Sequence, residues 1–114
     1  MAGLQDIRRR IRSVKNTQLP STVTLEQNYP NPFGGATHSS NPSTFITFSI
    51  PEDGIVLLKV FDSRGRVVSE LVNEHKTVGT YSVEFDGSKL PSGVYIYQLE
   101  SSGQVKTNAM TLVK

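Results

Sequence analysis

The ten residues Leu90-Pro91-Ser92-Gly93-Val94-Tyr95-Ile96-Tyr97-Gln98-Leu99 constrain this chain more than any other stretch. Pro91 fixes its own φ and Gly93 reaches positive φ at little cost, so the first four residues read as a turn. β-Branched and aromatic side chains follow without a break. Val94 and Ile96 point to one face; Tyr95, Tyr97 and Leu99 point to the other. A strand apolar on both faces is normally interior to a sheet and covered on both sides. The stretch therefore predicts a central strand on which the others pack. Tyr95 and Tyr97 are expected in the core, with their hydroxyls near a sheet edge or a polar partner.

The same reading extends to most of the chain after residue 22. Val23-Thr24-Leu25 is a short first strand. In residues 45–50, Ile46, Phe48 and Ile50 alternate with Thr47 and Ser49, predicting one buried face. Pro51 to Gly54 turn the chain. Residues 55–62 carry Val56, Leu58 and Val60 on one face and Ile55, Leu57 and Phe61 on the other. Ser63-Arg64-Gly65-Arg66 reads as a hairpin loop, and residues 67–73 return from it. His75 follows in a polar stretch ending at Gly79. Tyr81, Val83 and Phe85 mark the next strand. Ser101-Ser102-Gly103 reads as the last hairpin, and residues 105–113 as the final strand with Met110 and Leu112 on one face. About seven strands separated by turns are the signature of an all-β antiparallel sandwich.

Two stretches break this alternation. In Gln27-Asn28-Tyr29-Pro30-Asn31-Pro32-Phe33 the two prolines exclude helix and central strand. This segment is read as rigid and extended, with Tyr29 and Phe33 as apolar anchors pinning it to the sheet. Residues 34–40, GGATHSS, are small and polar and read as a surface loop whose deletion should leave stability nearly unchanged.

Composition narrows the chemistry. With 114 residues the chain fits one small domain with a modest core. It has no cysteine, hence no disulfide and no thiol chemistry. Its two histidines, His38 and His75, are too few for a metal site and lack ligands at useful spacing. No apolar run approaches the roughly 18 residues that would span a bilayer. Asp53, Asp62 and Asp86 fall at turns, where aspartate bonds the backbone. No Ser-His-Asp order or carboxylate pair stands out, so neither an enzyme nor a cofactor is expected.

The net charge of +2 is unevenly spread. Residues 1–18 carry Arg8, Arg9, Arg10, Arg12 and Lys15 against Asp6, while the remainder is mildly acidic. Leu4, Ile7, Ile11 and Val14 repeat at spacings of three, four and three, which predicts an amphipathic helix. Alone it would be marginal, so it needs a helix partner or it frays. The charges read as a solvated helix face rather than a nucleic-acid site. Pro20 stops a helix, and residues 19–24 are read as a linker and the start of the first strand.

Wording as well as pattern is informative. Ile7-Arg8-Arg9-Arg10-Ile11 and Ser13-Val14-Lys15-Asn16-Thr17 resemble the N-terminus of the gamma subunit of rotary ATP synthases. The match ends at Gln18 and no shaft follows, so rotor function is not implied; a fusion, a reading-frame join or an engineered join would each account for it. Residues 25–114 resemble the type A C-terminal sorting domain of proteins exported by the type IX secretion system (the Por secretion system). The matching motifs are Leu25 to Phe33, Asn41-Pro42-Ser43-Thr44, Ile46-Thr47-Phe48, Val60-Phe61-Asp62 with Gly65, Asp86-Gly87, Leu90 to Leu99, and Met110-Thr111-Leu112-Val113-Lys114. Residues 34–40 are inserted relative to the family pattern, and Ala109 stands where lysine is common.

The resemblance implies an immunoglobulin-like β-sandwich at the end of a larger cargo. It implies a non-catalytic sorting and docking function, with the outer-membrane machinery and its surface sortase as partners and attachment of the cargo to lipopolysaccharide. Neither nucleic acid nor a small-molecule substrate is expected. The family acts at the cell surface; without a signal peptide the chain as written would be cytoplasmic. Candidate recognition residues are Asn28, Tyr29, Pro30, Asn31, Pro32, Phe33, Gly93, Tyr95, Met110, Leu112 and Lys114. Burial is the better reading for Met110 and Leu112; for Lys114 recognition weighs at least as much as strand termination. An immunoglobulin-like adhesion module for carbohydrate or protein is the alternative that fold class leaves open, and a fragment or fusion of the ATP synthase gamma subunit is the further one.

Overall fold

The computed structural model describes residues 21–35 and 42–114; the helix expected at 1–18 and most of the 34–40 insertion lie outside the described residues. The last hairpin forms as expected. Strands β7 (Gly93–Ser101) and β8 (Gln104–Val113) pair antiparallel around Ser102 and Gly103, whose φ values are 52° and 73°. Positive φ at both central residues is the primed turn, whose twist matches that of the strands it joins.

Six further strands complete the described residues: β1 (Thr24–Leu25), β2 (Phe33–Gly34), β3 (Ser43–Ile50), β4 (Gly54–Phe61), β5 (Val67–Lys76) and β6 (Gly79–Asp86). They form a three-stranded sheet in the order β1-β3-β6 and a five-stranded sheet in the order β2-β8-β7-β4-β5. The count is eight rather than about seven. The added strand is β2, which lies parallel to β8 with Phe33 opposite Leu112. His75 falls inside β5, opposite Ile55, and not in a connecting stretch.

The core lies between the two sheets, where alternation directs one face of each strand. β3 contributes Ile46, Phe48 and Ile50; β4 contributes Val56, Leu58 and Val60; β7 contributes Tyr95, Tyr97 and Leu99; β8 contributes Met110 and Leu112. Removing this apolar surface from water is the main favourable term in folding. The β4–β5 pair shifts register at Leu58/Lys59 and again at Val60/Phe61. Such irregularities bend a strand and increase its twist.

β7 occupies the middle of its sheet, but it is not covered on both sides. Val94 on its outer face is 49% exposed, and Ile55 on the outer face of β4 is 58% exposed. The five-stranded sheet packs its inner face on the three-stranded one, and among the described residues nothing covers the other.

The turn aspartates bond the backbone as expected. Asp53 accepts from the N–H of Val78 at 2.7 Å, Asp62 from those of Arg64 and Arg66, and Asp86 from that of Ser88 at 2.9 Å. The Ser88 N–H, first among its neighbours, holds the Asp86 carboxyl below the usual carboxylate range; Lys114 adds to this. A carboxyl lowered on folding stabilises above its unfolded pKa, and that gain is lost as pH falls through the folded value. Acid titration from about pH 5 to 2 should therefore lower the melting temperature of the native chain more than that of Asp86→Asn. Parallel acid profiles for the two would remove this contribution.

Candidate functional site: the corner where residues 28–33 meet the C-terminal strand

Asn28 organises the first candidate segment. It is 3% exposed, and a buried amide of this kind needs its hydrogen bonds made. Its backbone N–H donates to the Tyr97 hydroxyl at 2.8 Å, and that hydroxyl donates to the Glu26 carbonyl at 2.7 Å. Its Nδ2 donates to Thr44 Oγ1 at 3.0 Å and to the Pro30 carbonyl at 3.1 Å. Thr44 Oγ1 in turn donates to the Pro30 carbonyl at 2.8 Å. Gln27 Nε2 donates both to Asn28 Oδ1 and to the carbonyl of Ala109 on β8. Residues 26–30 are thereby tied to β3, β7 and β8 at once. Burial raises the pKa of the Tyr97 phenol, which keeps it the neutral donor this arrangement needs.

Tyr29 is not an anchor. Its main chain makes an antiparallel bridge with Phe45, its N–H donating at 3.0 Å and its carbonyl accepting at 2.9 Å. That bridge points its side chain away from the core, leaving Tyr29 79% and Phe45 49% exposed. Nor is the segment extended. The chain bends at residues 30–32, and the Tyr29–Pro30 and Asn31–Pro32 peptides are both cis. Phe33 is the anchor that the sequence predicted, 1% exposed and edge-on to Phe85 with ring centroids 6.1 Å apart.

Beyond the bend the segment lines the free edge of β8. Asn31 Oδ1 accepts from the N–H of Thr111 at 3.0 Å. Phe33 and Gly34 then pair with Leu112 and Val113, and the N–H of Gly35 donates to the Val113 carbonyl. The first two residues of the supposed surface loop are thus strand and strand extension. Deleting residues 34–40 would remove this pairing, so a loss of stability is expected in place of the unchanged stability that a surface loop implies.

The second candidate element lies alongside. Met110 faces Tyr95 across the β7–β8 ladder and Leu112 faces Gly93. Met110 and Leu112 are each 1% exposed and belong to the core. Tyr95 is also buried, and its hydroxyl donates to the Pro91 carbonyl at 2.6 Å. Lys114 is exposed; its backbone N–H donates to Ser92 Oγ at 2.9 Å and its Nζ to the Ser88 carbonyl at 2.6 Å. The structure thus brings all eleven candidates to one corner, sorted into two roles. Asn28, Phe33, Tyr95, Met110 and Leu112 are buried supports. Tyr29, Pro30, Asn31, Pro32 and Lys114 are exposed, with Gly93 half-buried between them. Sequence reasoning assigned no site role to Gln27, Thr44, Ser92 and Tyr97, whose hydrogen bonds hold the corner together. All four lie in motifs of the family resemblance, which could have flagged them; their hydrogen-bond partners are distant in sequence and carry no local signal.

Among the described residues no group of three or more histidines, aspartates and glutamates is placed to hold a metal ion. No curated protein matches the chain. The family described as the secretion system C-terminal sorting domain matches residues 27–114. That match begins beside Asn28 and ends on Lys114, so it covers both halves of this corner and the sandwich between them. The chain belongs to the family of type IX secretion C-terminal sorting domains.

Proposed function

We propose that this corner is the recognition face of a non-catalytic sorting and docking module, read by the type IX outer-membrane machinery and its surface sortase as the cargo passes to the cell surface. Residues 25–114 would be the sorting unit, with 19–24 as linker and 1–18 as a separate arm. The observation that carries this reading is the pairing of Phe33 with Leu112, which sets the opening and closing motifs of the family match side by side. The polarity of the domain supports it. Thr24 pairs with Ser49, close to the turn that follows β3, whereas Lys114 lies by Ser88 and Ser92 at the opposite end. Thr24, the first strand residue described, therefore lies toward the other end of the sandwich from Lys114.

The test separates recognition from folding. Lys114 makes two exposed hydrogen bonds, so its deletion should cost about 1 kcal/mol or less. Export of a reporter carrying the Lys114 deletion should nevertheless fall about tenfold, the equivalent of roughly 1.4 kcal/mol of lost recognition. Asn31→Ala should behave in the same way. Both proteins are melted and both fusions assayed in a host with the secretion system and in one without it. If both variants are stable and fully exported, this corner is not what the machinery reads.

A further inference from the structure

The outer face of the five-stranded sheet carries a stripe that the core does not use. The register sets Val67 of β5 beside Phe61 of β4, Phe61 beside Ile96 of β7, and Ile96 beside Ala109 of β8. Direct partners share a face, so four apolar side chains cross four strands on the side away from Val60 and Tyr97. Val67 is 53% exposed, and Phe61 and Ile96 are half-buried. The next row along the sheet is polar: Glu70, Lys59, Gln98 and Thr107. The stripe is therefore bounded on that side.

On its other side the stripe meets a cavity of about 290 Å³, whose walls include Asp62, Arg64, Arg66, Ser92, Val94 and Tyr95. Val94, half exposed and two residues before Ile96 on the same face of β7, lines the cavity and joins it to the stripe. Asp62 is the only acid in the lining, and its carboxylate is already engaged. It accepts from the N–H groups of Arg64 and Arg66 at 2.9 and 3.0 Å, and from Arg66 Nε at 3.0 Å. The Tyr95 hydroxyl is likewise committed to the Pro91 carbonyl. The guanidinium of Arg64 makes no ion pair or hydrogen bond with another described residue. It is the one cation of the lining whose charge is not answered there.

We propose that stripe and cavity together form a docking surface for an extended segment of another protein in which apolar side chains adjoin a carboxylate. The apolar side chains lie over Phe61, Ile96 and Val94, and the carboxylate takes the fork of Arg64, whose planar donors match carboxylate geometry. Charge complementarity selects this occupant, because a purely apolar segment would leave the guanidinium beside it desolvated and unpaired. The cavity shares Ser92, Gly93 and Tyr95 with the corner of the sorting reading, but binding of a peptide to the stripe needs no secretion machinery, so the inference stands without that reading.

The test uses the full 114-residue chain, isotope-labelled for NMR, and the probe acetyl-Val-Leu-Phe-Asp-amide. Saturable amide shifts are expected at Arg64, Ser92, Val94 and Ile96, with a dissociation constant of about 1 mM. Arg64→Gln should weaken binding about tenfold, as should replacing the probe's aspartate by asparagine. Val94→Lys should abolish it. Both substitutions are at exposed sites, and an otherwise unchanged amide spectrum reports that the fold is intact. No saturable shift, or equal affinity in Arg64→Gln or for the asparagine probe, would overturn the proposal. So would concentration-dependent self-association that Arg64→Gln removes, since the occupant would then be a second copy of the chain.

Discussion

Tyr97→Ala is expected to lower the melting temperature by more than about 15 °C, and to leave much of the chain unfolded at 37 °C. Tyr97 is fully buried at the centre of β7. Removing a buried aromatic ring costs about 3–5 kcal/mol through lost burial and the cavity left behind. The variant also strips the Asn28 N–H of its acceptor and the Glu26 carbonyl of its donor, both in the segment that covers the β8 edge. An orphaned buried group adds about 1–3 kcal/mol. The sum is comparable with the roughly 5–15 kcal/mol that holds a whole domain together. Tyr97→Phe separates the two parts. It keeps the ring and loses only the hydroxyl, so it should cost about 1–3 kcal/mol. Limited proteolysis of that variant should cut within residues 26–33 before the sandwich melts. The checks are thermal melts of both variants and a time course of cleavage. A phenylalanine variant that melts with the native chain and resists cleavage would show that the hydroxyl does not fasten the segment.

What the sequence made legible was local. β7 is central because turn residues and β-branched or aromatic residues adjoin in one stretch, and both signals need only near neighbours. The turn aspartates were legible for the same reason, since each bonds backbone within a few residues or across one hairpin. Side-chain alternation also gave the inner faces of β3, β6, β7 and β8; in β5, where two register shifts interrupt the pairing, it did not single out the buried Val72. It could not say whether the outer face was covered. Ile55, Phe61, Val94 and Ile96 are as apolar as a doubly buried strand requires, yet two of these four are clearly exposed. Tyr29 failed for a different reason. Its size suggested burial, but a main-chain bridge to Phe45 decides which way it points, and that bridge is a long-range contact. The candidate residues themselves were legible through motif wording. Their convergence was not, because Asn28 meets Tyr97, and Asn31 meets Thr111, only once the sandwich has formed.

β2 is the hardest element to read, and it supports the second large effect. Two residues have no period, and Gly34 looks like the start of a flexible loop. In the structure Gly34 has φ of +88° and lies within the β2–β8 pair. A Cβ there would collide with the main-chain carbonyl of Val113 and stand 3.1 Å from both Leu112 Cδ1 and Pro42 Cβ. The first of these is backbone and cannot rotate away. Gly34→Ala therefore combines a left-handed backbone, about 1–2 kcal/mol, with overpacking of about 1–3 kcal/mol. The expected loss is about 2–5 kcal/mol, against the few tenths typical of a surface loop. The damage should be directional. Phe33 and Asn31 precede Gly34 on the same segment, so displacing β2 loosens the anchor and the cap on Thr111 together. Amide exchange should accelerate at Thr111 and Gly35 in this variant while Leu58 and Leu99, deep in the sheet, keep their protection. An alanine variant that melts within about 2 °C of the native chain, with unchanged exchange at Thr111, would mean that β2 does not close the β8 edge.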